Sequence, residues 1–381
     1  MWNEKRLKEI AVFNPRETLK KGAVAKRIAM EQLQPFCRDV SAFDFAAFNG
    51  GTKFRNGDTI MARITPCLEN GKMAKINVLD EDEVGFGSTE YIVLRAREEI
   101  DEDFLYYLVY SSYVRNAAIK SMVGSSGRQR VQISALENLP IQVPSYREQQ
   151  KIGRTLKDID DKIASNRAIN KNLEEQARAI FDSFYLKSKN KVLFTQMIKI
   201  LGGGTPKTTE RAFWCGQIPF FTPKDVGNPY VLQTEKYVTE LGLTNCNSRL
   251  YPVNTTFVTA RGTVGKVSLA GIPMAMNQSC YALMSDALHP FMTYFYTLHT
   301  VKALQHKATG AVFDAIVTSD FESELLHRIP EDDASQLLSC ISPMMENIRV
   351  NTVGNLRLTE LRDALLPRLM SGKIDVSDIA L

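Results

Sequence analysis

The residues of this chain that could do chemistry are polar and basic side chains on glycine-rich turns, and they recur in both halves. Lysine, serine, threonine and backbone amides can hold phosphate groups, whereas arginine, asparagine and glutamine can make paired hydrogen bonds to base edges. Any one of these residues also fits an ordinary solvated loop, but their recurrence favours DNA binding. The candidates in the first half are Thr52, Lys53, Arg63, Thr65, Lys72, Ser88, Thr89, Ser125, Ser126, Arg128, Gln129 and Arg130. Those in the second half are Thr205, Lys207, Thr208, Lys224, Arg261, Thr263, Lys266, Asn277, Gln278 and Ser279.

Motifs for catalysis and metal binding are missing from the sequence. The histidines, which lack the His-Glu-x-x-His and His/Cys spacings of metal sites, are His289, His299, His306 and His327. The glycine-rich turn at residues 202–208 lacks the Gly-Lys-Ser/Thr ending of a phosphate-binding loop, and Pro206 would interrupt the helix start that holds a phosphate. The sequence therefore predicts no catalytic residue, no metal and no cofactor in this chain.

Composition limits the possibilities only weakly. The chain has 381 residues, so about two or three domains are expected. Its net charge of +4 neither demands nor excludes an anionic partner. The first residues lack the apolar core of a signal peptide, and the chain has no long apolar run. The six cysteines include no Cys-x-x-Cys pair. We therefore expect a cytoplasmic protein with reduced cysteines.

Two seams of side chains at alternating spacings of four and three predict two long helices that pack on each other. The first seam consists of Ile152, Leu156, Ile159, Ile163, Asn166, Asn170, Leu173, Ala177, Ile180 and Phe184. The second consists of Leu337, Ile341, Met344, Ile348, Asn351, Asn355, Leu358, Arg362, Leu365 and Leu369. Each member of the second seam lies 185 positions after its counterpart, so Asn166 matches Asn351 and Asn170 matches Asn355. Buried asparagines of this kind can specify one helix register at some loss of stability.

The globular segments before the two seams also match each other. Ala62-Arg63 matches Ala260-Arg261, and Gly71-Lys72 matches Gly265-Lys266. Residues 59–64 and 91–94 are predicted strands, and residues 103–108 a predicted helix. The repeat predicts an α+β protein with two α/β domains, residues 1–145 and 188–331, separated by two long antiparallel helices, residues 146–187 and 332–381, that form a coiled coil with a pseudo-two-fold axis. Helices of about 35 residues would span roughly 50 Å as a spacer, although plain dimerisation or bundle helices are an alternative.

Short motifs in both halves carry a resemblance to a known family. In the first half they are Gly50-Gly51-Thr52-Lys53-Phe54, residues 63–72 and Gly87-Ser88-Thr89-Glu90-Tyr91. In the second half they are Gly203-Gly204-Thr205-Pro206-Lys207-Thr208, Trp214, Ile218-Pro219, residues 260–266 and Asn277-Gln278-Ser279. The most specific motif is Glu148-Gln149-Gln150-Lys151-Ile152, followed by Ile159-Asp160-Asp161-Lys162-Ile163. On these motifs nearly the whole chain strongly resembles the specificity subunit of Type I restriction-modification enzymes.

The resemblance implies two target-recognition domains that each read one half of a split, asymmetric DNA sequence, with the helices setting the spacer between the halves. It also implies assembly with two modification subunits that use S-adenosylmethionine and with restriction subunits that use ATP and magnesium. Contacts to these partners are expected on the outer helix faces, near Arg154, Lys157, Arg167, Lys171, Glu175, Arg349 and Arg357. The second helix departs from the family pattern, because residues 331–341 lack a Glu-Gln-Gln motif and Arg362 stands where the first seam has Ala177.

Two other functions stay open at this point. The chain could be an interaction scaffold that does not recognise DNA, in which the helices tether two protein-binding domains. A free-standing DNA methyltransferase or nuclease is a weaker alternative, because the sequence lacks the cofactor and metal motifs that such enzymes need.

Overall fold

The computed structural model describes residues 2–227, 229–307, 315–377 and 379 of the chain. Its contacts divide the chain into two units, one made of Met1–Ala164 and Leu356–Leu381 and the other of Ser165–Asn355. The predicted domains follow the order of the chain, whereas each contact unit combines one globular part with segments of two helices.

The first half of the chain forms short strands and helices followed by one long helix. The strands are β1 Asn3–Arg6, β2 Ala11–Phe13, β3 Val24–Ile28, β4 Asp44–Ala47, β5 Thr52–Phe54, β6 Thr59–Ala62, β7 Met73–Lys75, β8 Gly85–Gly87, β9 Tyr91–Ala96 and β10 Pro140–Val143. The helices are α1 Leu7–Ile10, α2 Glu102–Tyr110, α3 Ser112–Lys120, α4 Ile133–Glu137 and α5 Tyr146–Tyr185. A single 3₁₀ turn covers Met30–Gln32.

The second half repeats this plan. Its strands are β11 Lys191–Leu193, β12 Lys199–Gly202, β13 Trp214–Phe221, β14 Tyr230–Val231, β15 Lys236–Val238, β16 Thr256–Thr259, β17 Val267–Ala270, β18 Ala275–Met276, β19 Cys280–Met284 and β20 Leu325–His327. Its helices are α6 Phe194–Met197, α7 Glu240–Thr244, α8 Pro290–Lys307, α9 Thr318–Glu322 and α10 Glu331–Met370. A 3₁₀ turn covers Arg211–Phe213. The predicted α+β class with an internal repeat is confirmed.

Each unit is built on small sheets around a buried antiparallel strand pair. In the first unit the sheet orders are β2-β9-β6-β7, β4-β3-β8-β5 and β1-β10. In the second they are β12-β19-β16-β17-β14, β15-β13-β18 and β11-β20. The pair β6·β9 in the first unit corresponds to β16·β19 in the second, and all four residues of β6 and of β16 are buried. Burial on both faces explains why apolar residues are adjacent in these strands, as in Ile60-Met61 and Phe257-Val258, rather than alternating with polar ones.

The long helices α5 and α10 each have 40 residues, five more than the seams predict, and they begin 185 positions apart. At 1.5 Å per residue each is about 60 Å long. Ser145 caps α5, because its backbone N–H and its hydroxyl both donate to the Glu148 carboxylate, at 2.9 and 2.7 Å. Helix α10 instead begins after Pro330 with three acidic residues, which interact favourably with the positive end of the helix dipole.

The motif Glu148-Gln149-Gln150-Lys151 connects the start of α5 to the first globular part. The Gln149 side chain is buried, donates to the Pro144 carbonyl at 3.0 Å and accepts from the Asp101 N–H at 3.0 Å. Lys151 is also buried, and its ammonium donates to the Ser377 carbonyl. The residues of this motif therefore stabilise the first unit by hydrogen bonds to its backbone, of which the one to Pro144 is buried.

Within each unit the two helix segments run antiparallel. In the second unit Asn166 donates to Asn355 at 2.8 Å, and Asn351 donates to Asn170 at 2.9 Å. Each asparagine therefore pairs with the non-equivalent asparagine of the other helix, as antiparallel packing requires. In the first unit Asp160 accepts from Arg362 at 2.7 Å.

All residues of the two predicted seams are buried or partly buried. Further along the two helices, the side chains of Asp160, Phe181, Met345 and Leu366 are buried although they lie outside the predicted seams. They belong to the faces on which the globular parts pack, because α2, α8 and their neighbours cover a wider stripe than one partner helix does.

Candidate nucleic-acid interface

Three segments of the first unit meet at the ends of β6 and β9. Arg63 follows β6 and donates its backbone N–H to the Glu90 carbonyl at 2.9 Å. The Val131 N–H donates to the Arg63 carbonyl at 2.9 Å, and the Thr65 N–H donates to the Gln129 carbonyl at 3.0 Å. The predicted residues at positions 63–65, 88–90 and 125–130 are thus brought together by backbone hydrogen bonds.

Two arginines and one glutamate form the centre of this surface, which we call the Arg63–Glu90–Arg130 cluster. Arg130 donates from Nε to both Glu90 oxygens at 3.0 Å and from Nη2 to Oε1 at 2.6 Å. The Arg63 Nε lies 3.7 Å from Glu90 Oε2. Hydrogen bonding by Arg130 lowers the pKa of Glu90, so the carboxylate is ionised at neutral pH.

Most of the remaining candidates in the first unit surround the cluster. Ser125, Ser126 and Arg128 are exposed on the adjoining loop, Gln129 is partly buried there, and Thr89 is exposed next to Glu90. The Thr52 hydroxyl donates to the Ser88 carbonyl at 2.9 Å, and the Thr65 hydroxyl donates to the Met122 sulfur at 3.6 Å.

Two lysines of the first unit are held elsewhere. The Lys53 ammonium donates to the Glu17 carbonyl, and the Lys72 ammonium donates to the Met30 carbonyl at 2.8 Å. A phosphate would have to compete with these hydrogen bonds, so the predicted DNA contacts of Lys53 and Lys72 stay predictions.

Four turns of the second unit also converge. The Thr205 hydroxyl donates to the Gln278 side chain, and the Asn277 N–H donates to the Phe221 carbonyl at 3.0 Å. The Thr263 hydroxyl donates to the Pro223 carbonyl at 3.1 Å. Ser279 N–H donates to the Asn277 side chain at 3.0 Å. The exposed candidates on these turns are Lys207, Thr208, Lys224, Arg261, Thr263 and Gln278, of which Lys224 lies 3.4 Å from Glu235.

Lys266 lies apart from the converging turns. It lines a cavity of about 530 Å³ together with Glu174 and Tyr294. The Tyr294 hydroxyl donates to Glu174 at 3.2 Å, and burial raises the pKa of both side chains. The structure therefore groups Lys266 with α5 and α8, and its DNA contact also stays a prediction.

Backbone hydrogen bonds correct the match between Arg63 and Arg261. In the second unit the Ala260 N–H donates to the Ser279 carbonyl at 2.8 Å, and the Ile316 N–H donates to the Ala260 carbonyl at 2.9 Å. Ala260 thus takes the place of Arg63, and Arg261 lies one residue further along the chain. The sequence match was wrong by one residue, because the loops between equivalent strands differ in length in the two units.

The same pattern of backbone hydrogen bonds shows which residues of the second unit correspond to Glu90 and Arg130. Ser279 takes the place of Glu90, because it accepts the corresponding backbone hydrogen bond. Ala315 takes the place of Arg130, because the bridges Ile64↔Arg130 and Arg261↔Ala315 are equivalent. The second unit therefore has three small, uncharged side chains where the first has its charged cluster.

No group of three or more His, Cys, Asp or Glu side chains that could hold a metal occurs within residues 2–227, 229–307, 315–377 and 379. His299 pairs with Asp182 at 2.6 Å and His327 contacts the Ser188 carbonyl at 2.6 Å, so both support the end of α5. In the same part of the chain, no helix is both long and apolar enough to cross a bilayer.

Two features of the structure were not predicted from the sequence. Glu90 was part of a motif but was not assigned a contact, and Asp160 was not assigned to the helix seam. A single acidic residue among several arginines on neighbouring turns is the one signal that could have indicated the role of Glu90.

Comparison with known proteins gives a consistent result. The model of the family described as the Type I restriction modification DNA specificity domain matches residues 1–175 and 188–333. The specificity subunit of the Type I restriction enzyme MjaIX from Methanocaldococcus jannaschii is 22% identical over 309 residues, which cover 74% of this chain and 71% of that protein. The HindI specificity subunit from Haemophilus influenzae is 22% identical over 404 aligned positions, covering 84% of this chain and 87% of that protein.

A solved structure supports the same fold. The S subunit of a Type I restriction-modification system from M. genitalium superposes with a TM-score of 0.57 at 14% identity, covering 97% of this chain and 96% of that one. Both relatives are named as specificity subunits of Type I restriction enzymes. The chain belongs to the family of Type I restriction modification DNA specificity domains.

Proposed function

We propose that this chain is the subunit that recognises double-stranded DNA in a Type I restriction-modification complex. Residues 1–145 and 188–331 each read one half of a bipartite, asymmetric target, and helices α5 and α10 set the gap between the halves. The observation that carries the proposal is the family match to both halves of the chain, each of which ends in a 40-residue helix.

The chemistry of methylation and cleavage belongs to partner subunits in this proposal. Two modification subunits would supply S-adenosylmethionine chemistry, and restriction subunits would use ATP and magnesium. They would dock on exposed helix positions such as Arg154, Lys171, Glu175 and Arg357, with Lys157, Arg167 and Arg349 nearby. The complex would work in the cytoplasm, where its DNA substrate lies.

A binding-site selection tests the proposal directly. The chain assembled with its modification subunits is incubated with a pool of random duplex DNA, and the bound sequences are read. We expect two short half-sites with a constant gap, and an affinity that falls steeply with salt because phosphate contacts release counterions. Absence of enrichment would favour the scaffold alternative, and binding of S-adenosylmethionine by the chain alone would favour the methyltransferase alternative.

Lengthening both helices tests the spacer. One heptad is inserted in α5 after Arg167 and another at the facing position of α10, after Val353. Seven residues add about 10 Å, which is about three base pairs. We expect the gap to change or binding to be lost while the half-site sequences stay the same, whereas the surface control Asn172→Ala, at an exposed position of α5, should leave the gap unchanged. New half-site sequences with an unchanged gap would contradict a spacer role.

A further inference from the structure

The Arg63–Glu90–Arg130 cluster holds one guanidinium in a fixed orientation. A guanidinium carries its donors on two usable edges, the Nε/Nη2 edge and the Nη1/Nη2 edge. Glu90 occupies the Nε/Nη2 edge of Arg130 through three hydrogen bonds of 2.6 to 3.0 Å. The other edge remains for a ligand, and 43% of the Arg130 side chain is exposed.

The residues around Arg130 restrict its movement. Its backbone N–H and carbonyl both pair with Val123, at 2.9 and 3.0 Å. Arg63 places a second positive charge 3.7 Å from Glu90, and its Nε is buried without a hydrogen bond in the described part of the chain. Such a fixed side chain loses little conformational entropy when it binds a ligand.

The free edge of Arg130 fits guanine better than it fits a phosphate. Guanine presents O6 and N7 as a pair of acceptors in the major groove, and arginine binds this pair with two parallel hydrogen bonds. Phosphate attraction depends on net positive charge, and Glu90 neutralises one of the two arginines. A neutralised, oriented arginine discriminates between bases rather than binding any backbone.

The equivalent positions of the second unit have the same backbone hydrogen bonds as the cluster but different side chains. Ala260, Ser279 and Ala315 have the same backbone hydrogen bonds and bridges but cannot form such a cluster. Side chains that differ on the same backbone frame are where two related domains can differ in specificity.

We propose that Arg130, positioned by Glu90, reads one guanine in the half-site recognised by residues 1–145. The proposal rests on the proposed function, because it names a contact made by one of the two recognition domains. The second domain has no equivalent contact, so its half-site is read by other side chains.

The test repeats the random-duplex selection with the complexes of the wild type, Glu90→Gln and Arg130→Ala. Glutamine cannot hold the guanidinium as strongly, and alanine has no donor for the guanine acceptors. We expect one guanine of one half-site to lose its preference in both variants by roughly ten- to a hundredfold, while the other half-site is unchanged. Arg128→Ala is the matched control: it should weaken binding of all sequences equally and reduce the salt dependence by about one charge.

A second measurement changes the DNA instead of the protein. The identified guanine is replaced by 7-deazaguanine, which lacks the N7 acceptor, in an otherwise selected duplex. Wild-type affinity should fall, whereas Arg130→Ala should bind both duplexes equally because it has no donor for N7. A consensus that both variants leave unchanged, or a wild type that is insensitive to the 7-deaza substitution at every guanine, would overturn the guanine contact alone. No enrichment by the wild type would overturn the proposed function as well.

Discussion

The two units solve the same packing problem with different chemistry. In the first unit, Asp160 and Arg362 form an ion pair that is more than nine-tenths buried. The equivalent positions of the second unit, 185 residues away in each case, are Met345 and Ala177, which are fully buried in an apolar core. The repeated fold therefore accommodates a buried ion pair in one copy and apolar side chains at the equivalent positions of the other copy.

The residues that surround these two pairs of positions differ accordingly: they are polar in the first unit and apolar in the second. In the first unit the Tyr107 hydroxyl donates to Asp160 at 2.6 Å, and Arg362 donates to the Tyr110 hydroxyl at 2.6 Å. In the second unit Phe181 stacks on Phe295 with ring centroids 5.3 Å apart. A buried ion pair needs such hydrogen bonds because removing charges from water is costly, whereas apolar side chains need only close packing.

The largest effect is expected from Arg362→Ala. This change leaves the Asp160 carboxylate buried without its partner, and breaking a buried pair in this way lowers the free energy of unfolding by about 3–5 kcal/mol. Urea unfolding of the purified chain measures the loss. The exposed Arg357→Ala on the same helix is the control and should change stability by less than about 0.5 kcal/mol. Equal effects of the two substitutions would show that the ion pair has no special role.

The second prediction converts the first unit to the chemistry of the second. Asp160→Met with Arg362→Ala removes both charges, and adding Tyr107→Phe with Tyr110→Phe removes the hydroxyls that would lose their partners. Replacement of a buried ion pair by apolar groups is often neutral or stabilising. The quadruple variant should therefore recover most of the stability lost in Arg362→Ala. If it is no more stable than Arg362→Ala, the loss comes from packing and not from an unpaired charge.

The asparagine pairs should respond unequally. Asn166 Oδ1 is buried and has no hydrogen bond in the described part of the chain, whereas Asn170 both accepts from Asn351 and donates to Thr352 at 3.3 Å. An unsatisfied buried acceptor costs about 1–3 kcal/mol. Replacement of Asn166 and Asn355 by Leu should therefore stabilise the helices by about 1–2 kcal/mol more than replacement of Asn170 and Asn351.

Urea midpoints of the two double variants compare these pairs directly. Both variants should also loosen helix alignment, because asparagine pairs specify register. A broader distribution of gaps in the binding-site selection would reveal this. Equal stabilisation by the two double variants would mean that the unpaired oxygen of Asn166 carries no measurable penalty.

The smallest effect concerns pH and compares Glu90 with Ser279. Arg130 lowers the pKa of Glu90 in the folded chain, whereas the unfolded pKa is about 4.3. The stabilisation is therefore present above about pH 4.3 and is lost as pH falls through the lower folded pKa. The carboxyl carbon shift of Glu90 in an NMR titration should have its midpoint below about 4.3, and Arg130→Ala should move that midpoint upward. Ser279→Ala, at the equivalent place, should not change the acid stability.

Several elements could be predicted because their signals are local. Residues 103–108 were predicted as a helix, and α2 covers Glu102–Tyr110 because Asp101 caps it by accepting from the Phe104 N–H at 2.8 Å. Strand β6 ends at Ala62, before the predicted end at residue 64. The Arg63 N–H still donates to Glu90, the next residue in the register with β9, whereas the Arg63 carbonyl accepts from Val131 of another segment.

The candidate site was predictable as a set of turns but not as a set of contacts. The repeated turns of polar residues indicated the right segments, and backbone hydrogen bonds join positions 63–65, 88–90 and 125–130. Sequence spacing could not show that Lys53 and Lys72 donate to carbonyls within their own unit. It also placed Arg261 one position away from its structural equivalent, because loop lengths shift the numbering without changing the hydrogen-bond frame.

The sequence by itself determined the repeat of 185 residues, the two helix seams and the absence of familiar catalytic motifs, since side-chain periodicity and residue type are properties of the chain alone. Only the tertiary structure decided which residues meet. Asn166 pairs with Asn355 and not with its equivalent, and Asp160 meets Arg362 across 202 positions. Periodicity specifies which face of a helix is buried, but the direction and register of its partner specify what lies across from each residue, and these depend on the packing of the whole unit.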